Sequence, residues 1–283
     1  MDGQPPAGYV AREDRGVRAM LRSGYEGVFE TLVPLLDGAG PKPGPTTLEG
    51  RGAVAAVAVP GRAETMIVRR YRHGGAFRFL GGRMLLSSGR PFAELRALEA
   101  AARGGVHVAR AVAALSAGSI VSARGLLATI AEEGVVDLLA WLLPRPGRSR
   151  RRAVARALAA EVRRLHDAGI VHADLHVKNV LVREDGGGRA SVVLIDFDRA
   201  RVLGAPLKDS LRFRNLFRLD RSVEKTGLSS RGLVSRADRL AVLRAYLSAP
   251  RLRSVESLRP RLFRARLGLA LHRLAWRISG ASA

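Results

Sequence analysis

Short apolar runs dominate the first half of the chain and helical periods the second. Residues 53–59 and 64–71 are two strand-like runs joined at Pro60-Gly61, the pattern of a hairpin. Residues 106–121 and 126–130 supply the remaining strands of a small sheet. Between these groups Ser87-Ser88 and Pro91 start a helix and Gly104-Gly105 stop it, bracketing residues 92–103. A helical pattern covers 135–143, a basic loop 144–152, and a second helix 153–167, which Gly169 ends. Ile170-Val171 and residues 191–195 are then short strands, the latter delivering Asp196 to the end of a sheet. Over 208–225, Leu211, Leu216, Leu219 and Val223 fall among Arg212, Arg214, Arg218 and Arg221, which predicts one amphipathic basic helix or two short ones. The tail repeats the theme after Pro260, with eight arginines and one glutamate over 251–277 and Phe263, Leu267, Leu271, Leu274 and Ile278 at helical spacing. One face of that helix suits packing on the large lobe, and another suits an anionic membrane. Residues 1–40 are weakly patterned and end in Gly and Pro, so 1–45 are expected to form an extension and linker. A small lobe over 46–131 and a large lobe over 132–283 follow.

The chemistry concentrates in His172-Ala173-Asp174-Leu175-His176-Val177-Lys178-Asn179 and, seventeen residues on, Asp196-Phe197-Asp198. Phosphoryl transfer from a magnesium nucleotide needs one carboxylate to take the proton of the attacking hydroxyl, and an amide and a second carboxylate to hold the metal. Asp174, Asn179 and Asp196 supply these groups, and Leu165-His166-x-x-Gly169-Ile170-Val171 leads into the first motif as in eukaryotic-like kinases. The expected fold is therefore α+β: a two-lobed, protein-kinase-like domain with a small, mostly antiparallel sheet lobe and a larger helical lobe. Gly50 and Gly52 are candidates for a glycine loop over the phosphates, although Gly-x-Gly serves a plain turn equally well. The strand over 66–71 has no lysine, and Arg69 holds the position of the phosphate-gripping one, with Arg70 on the opposite face. Glu94 and Glu99 lie five residues apart on the next helix, so only one can point at Arg69. Ala131-Glu132-Glu133-Gly134 is the expected hinge, where backbone groups around Glu132 would hydrogen-bond adenine. The glycine-punctuated, basic segment 73–83 could lie over a substrate, which makes Arg78 and Arg83 candidates for acceptor contact beside His176.

Composition narrows the class. A chain of 283 residues that is 47% hydrophobic can bury a core, and without cysteine it has no disulfide framework or thiolate metal site. Residues 1–9 lack the pattern of a secretory signal, and no apolar run approaches the roughly 18 residues of a membrane span, so a cytoplasmic protein not integral to a membrane is expected. A net charge of +23, nearly all arginine, attracts polyanions such as anionic lipid, phosphorylated glycan or nucleic acid. Aromatics at 5% count against a single-strand nucleic-acid binder.

Several segments together resemble the lipopolysaccharide core kinases, those acting on 3-deoxy-D-manno-octulosonic acid (Kdo) in particular. They are Val68-Arg69-Arg70-Tyr71-x-His73-Gly74-Gly75, Arg90-Pro91-Phe92-x-Glu94, both kinase motifs, and Asn215-Leu216-x-Arg218-Leu219-x-Arg221-Ser222-Val223-x-Lys225. The resemblance implies an ATP- and magnesium-dependent enzyme, peripheral to the cytoplasmic face of a bacterial inner membrane, that phosphorylates a sugar hydroxyl of the lipid A-linked core glycan. By motif, Asp174 would be the base, Asn179 and Asp196 metal ligands, Arg69 the phosphate-gripping side chain and Glu94 its partner. An anionic membrane surface is the implied neighbour, with no obligate protein partner. Ala173 stands where many protein kinases carry an arginine that gathers a phosphorylated loop, and Asp198 where a glycine is usual. Both departures, with His176, favour a small-molecule acceptor over a protein. Two rival readings are another acceptor, such as heptose, an aminoglycoside-like sugar or a protein hydroxyl, and an inactive kinase-like scaffold that binds polyanions.

Overall fold

The structure, a computed structural model, describes residues 4–36, 54–71, 89–118 and 124–248. Its first half is a six-stranded antiparallel sheet in the order β1-β2-β5-β6-β4-β3. The strands are β1 (Tyr9–Asp14), β2 (Val17–Arg22), β3 (Val54–Ala58), β4 (Thr65–Tyr71), β5 (Ala111–Ala117) and β6 (Arg124–Ile130). Helix α1 (Val28–Leu36) follows β2, and α2 (Arg90–Arg103) follows β4. Side chains alternate across the sheet, so its two faces make different cores. Met66, Val68, Ala113, Leu115, Leu126 and Ala128 pack with Phe29 and Leu32 of α1. Ala114 and Leu127 face Phe92, Leu95 and Leu98 of α2 instead.

The described part of the expected extension, residues 4–36, is instead built into the domain. It contributes β1, β2 and α1, and β2 pairs with the central strand β5 from Val17↔Ala117 to Leu21↔Ala113. Only Tyr9 of β1 is buried, because it is an edge strand, so no apolar run announces it.

The second half begins with β7 (Val136–Asp137) and α3 (Leu138–Leu142), so part of the helix expected over 135–143 is strand. The long helix α4 spans Arg148–Asp167, not 153–167: Arg148, Arg150 and Arg151, assigned to a loop, lie in its first turn. It buries Val154, Leu158, Val162 and Leu165 as one stripe. β8 (Ile170–Val171) follows, then a 3₁₀ turn at Val177–Asn179 that leads directly into β9 (Val180–Glu184), and β10 (Ala190–Leu194) pairs antiparallel with β9. β11 (Arg201–Val202) pairs with β8, and α5 (Asp209–Lys225) and α6 (Arg236–Leu247) complete the described chain. Gly169 has φ +75°, and a Cβ there would sit 2.3 Å from the Ala205 carbonyl oxygen, so only glycine lets the chain pass between α4 and β8. No helix among the described residues is long and apolar enough to cross a membrane.

Candidate active site

The loop between β8 and β9 closes on itself through three polar side chains. His172 is fully buried; its Nδ1 accepts from the Asp174 N–H at 3.1 Å, so its Nε2 carries the hydrogen donated to the Ile195 carbonyl at 3.1 Å. Burial holds this imidazole below its ordinary pKa and hence neutral. The Asn179 Nδ2 donates to the Asp174 carbonyl at 2.9 Å, and the Asn179 carbonyl accepts from Ile195 N–H at 3.1 Å. Asp174, Asn179 and the residue preceding Asp196 thus belong to one hydrogen-bonded unit.

Asp174 itself reaches outward, with 63% of its side chain exposed, and His176 Nε2 stands 3.4 Å from its Oδ2. The His176 Nδ1 accepts from Lys178 N–H at 3.1 Å, which puts the ring hydrogen on the nitrogen facing Asp174. Asp196 has φ +63°, a left-handed conformation that aspartate tolerates better than most residues and that marks a constrained loop.

The small lobe reaches this loop through β4. Residues 67, 69 and 71 share a face opposite Met66 and Val68, so Arg69 and Tyr71 point to the α2 side. Arg69 donates to Glu94 at 2.5 Å through Nη2 and to Asp196 through Nη1, and Tyr71 donates to the same Glu94 oxygen. Arg70 lies on the other face, 3.5 Å from the Leu35 carbonyl. Glu94, 3% exposed, is pushed up to about 7 by burial, against the pull of Arg69 and Tyr71. Burial also works against the Arg69 charge, but Glu94, Tyr71 and Asp196 outweigh it and raise that pKa. The pair is best described as a charged guanidinium on a carboxylate, since Glu94 Oε2 accepts from two donors.

The choice between Glu94 and Glu99 is therefore resolved by contact: Glu99 pairs with Arg22 and lies 2.8 Å from the Tyr9 hydroxyl, well away from Arg69. Glu132 sits in the segment joining β6 to β7, but its carboxylate is held by Arg183 at 2.8 Å, so any nucleotide contact there falls to backbone groups. Gly50, Gly52, Arg78, Arg83 and the tail beyond residue 248 lie outside the described residues.

Two supports were not foreseen from sequence. On α5, Asn215 brackets His172, accepting from its N–H at 3.0 Å and donating to its carbonyl at 2.9 Å. Ser222 accepts from the Val177 N–H at 3.2 Å, and Arg218 donates to the His172 carbonyl at 3.2 Å. The basic helix expected over 208–225 is thus also the floor under the loop between β8 and β9. The second support is a forked ion pair between Arg90 and Asp198. The only hint of it in the sequence was Asp198, where a glycine is usual.

Chemically, Asn179 and Asp196 offer hard oxygen donors, which suit magnesium. No group of three or more His, Cys, Asp or Glu among the described residues is arranged for a metal. Magnesium fits such a sparse set, because it binds through one or two protein oxygens with phosphates and water completing the octahedron.

The model of the lipopolysaccharide kinase (Kdo/WaaP) family matches residues 47–246. The chain belongs to that family. It is a phosphotransferase that acts on a sugar hydroxyl. The 3-deoxy-D-manno-octulosonic acid kinase of Vibrio cholerae serotype O1 is 28% identical over 195 residues, 63% of this chain and 73% of that protein. The enzyme of the same name from Photobacterium profundum is 34% identical over 185 residues, 62% of this chain and 72% of its own. Among solved structures, WaaP in complex with acyl carrier protein superposes with a TM-score of 0.58 at 23% identity, covering 92% of this chain and 95% of that one. That likeness shows a common, protein-kinase-like fold. The family match runs past the stretch of sequence resemblance, which ended near Lys225, and takes in α6.

Proposed function

We propose that this kinase transfers the γ-phosphoryl group of ATP to a hydroxyl of Kdo in the lipid A-linked core glycan. The observation that carries the reading is the hydrogen-bonded unit of Asp174, Asn179 and Ile195, met from the small lobe by Arg69 at Asp196. Kdo as the acceptor is supported by the names of the curated relatives. A net charge of +23 suits an acidic sugar held at an anionic membrane surface.

In this mechanism Asp174 orients the acceptor hydroxyl and takes its proton at a carboxylate oxygen, late in the transfer. His176, whose Nε2 stands 3.4 Å from the Asp174 carboxylate, limits how that carboxylate can turn. Asn179 would hold magnesium through its side-chain oxygen, since its nitrogen is committed to the Asp174 carbonyl, and Asp196 would hold it through its carboxylate. When bound there, magnesium supplies neutralisation of the phosphate charge. Arg69, anchored by Glu94, grips phosphate oxygens with its remaining donors. The enzyme works as a peripheral protein at the cytoplasmic face of the inner membrane, with segment 73–83 and the basic tail as further contacts for acceptor and lipid.

The test is to incubate the purified enzyme with labelled ATP and lipid A precursor carrying either no sugar, Kdo, or Kdo plus heptose. Label that requires Kdo and maps to the Kdo residue is expected. Label that appears only once heptose is present, or only in a protein, would overturn the choice of acceptor.

A further inference from the structure

We propose that Arg90 and Asp198 form a clamp that fixes the metal loop to α2, which makes both of them positioning residues for Asp196. The inference rests on the reading of Asp196 as a metal ligand and adds how this chain holds it in place. Arg90 opens α2, and Glu94 lies one turn further along the same face. Both arms reach the same short loop. Glu94 holds Arg69, which holds Asp196, while Arg90 takes Asp198 directly. The Arg90 contact is a fork on a fork, with Nε donating to Oδ1 at 2.6 Å and Nη2 to Oδ2.

The two arms grip on either side of Phe197, which is fully buried and packs edge-on to His172 with ring centroids 4.9 Å apart. Tyr71 ties the arms together: the Arg69 and Arg90 guanidinium carbons each lie 5.1 Å from its ring centroid, and its hydroxyl donates to Glu94. The start of α2 is itself anchored, because Pro91 packs so closely on β6 that a Cβ at Gly125 would lie 2.6 Å from its Cγ. Asp198 is a carboxylate two residues from a metal ligand, and it could be taken for a ligand too. Both its oxygens are already engaged by Arg90, and only 17% of its side chain is exposed. A glycine at this position could not be gripped at all. With Ala173 in place of the arginine that serves a phosphorylated loop, the clamp gives the metal loop a fixed seat that no modification has to create.

The experiment compares wild type, Arg90→Gln, Arg90→Lys, Asp198→Asn and the charge swap Arg90→Asp with Asp198→Arg. Hydrogen–deuterium exchange over residues 195–203 is measured on nucleotide-free protein, and kcat and KM are measured on the working enzyme. Arg90→Gln is expected to speed exchange in that segment and to lower kcat on the order of 10- to 100-fold, since small misplacements of reacting groups cost that much. Acceptor KM should hold. Arg90→Lys keeps the charge without the fork and carries the test should Arg90→Gln fail to fold. The swap should recover most of the exchange protection and of kcat. Unchanged exchange in Arg90→Gln and Arg90→Lys would overturn the clamp. So would a swap that restores protection yet stays inactive, which would assign Asp198 to the metal. The exchange arm needs no acceptor, so a failure of the Kdo assignment would leave it readable.

Discussion

Replacing Asn215 with leucine separates a helix that merely packs near the site from one that holds it. The residue is fully buried on α5, and leucine has the same number and branching of side-chain heavy atoms, so the shape of the side chain is largely conserved. Three hydrogen-bonding groups face its amide: the His172 N–H at 3.0 Å, the His172 carbonyl at 2.9 Å and the His166 Nε2 at 3.3 Å. The His172 carbonyl keeps Arg218 as a donor at 3.2 Å. The other two groups lose their acceptor in a dry interior. A stranded buried donor costs about 1–3 kcal/mol, so the pair should cost about 4 kcal/mol. With a urea slope of about 2 kcal/mol per molar, the unfolding midpoint should fall by about 2 M at unchanged slope. Because the same amide holds His172, two residues before Asp174, kcat should also fall under conditions where the variant is fully folded. Nucleotide KM should move far less. A midpoint near that of wild type together with full turnover would refute the idea that α5 supports the catalytic loop.

Other variants test the remaining supports. His166, buried beside Arg212 with Tyr246 on its Nδ1, is held down at about 3 by burial first and by Arg212 second. Between its ordinary pKa of 6.5 and about 3 the unfolded chain takes a proton that the folded one refuses. Stability should therefore fall with falling pH across that window, by up to about 1.4 kcal/mol per unit, with His172 adding a slope of the same sign. Urea midpoints at pH 7 and pH 5 check this, and His166→Gln should flatten the difference; an equal pH dependence in the variant would contradict it. Glu94→Gln should lower kcat, whereas Glu99→Gln should lower only thermal stability, since Glu99 serves Arg22 and Tyr9. Equal kinetic effects from the two would mean that the contact seen for Arg69 is not the one that matters. Arg69→Lys should lower kcat about tenfold or more, because a single ammonium cannot bridge Glu94 and Asp196 as the fork does. Steady-state turnover equal to wild type would make the fork dispensable.

The parts of the fold legible in sequence were those whose burial is one-sided and continuous. The β3–β4 hairpin has apolar runs around Pro60-Gly61, α2 lies between clear start and stop signals, and α4 shows its stripe from Val154 to Leu165. Strand parity alone put Arg69 and Arg70 on opposite faces. β1 escaped because it buries only Tyr9 and carries Arg12, Glu13 and Asp14 along an exposed edge. α6 buries only Tyr246 and so carries almost no period. At the site, the closeness of Asp174 to Asn179 was legible because the two lie five residues apart in one loop, a spacing that sequence records directly. The Arg90 grip on Asp198 spans 108 residues and the Asn215 grip on His172 spans 43, so nothing local records either. Arginines are too numerous here, within a charge of +23, for any one to stand out before its partner is seen.

The central claim is that Asp196 works with Asp174 and Asn179 in phosphoryl transfer, and turnover of purified Asp196→Ala on Kdo-bearing precursor tests it most directly. Phosphate transfer should drop to background while the variant unfolds at a temperature close to that of wild type. Turnover near the wild-type rate would contradict the account.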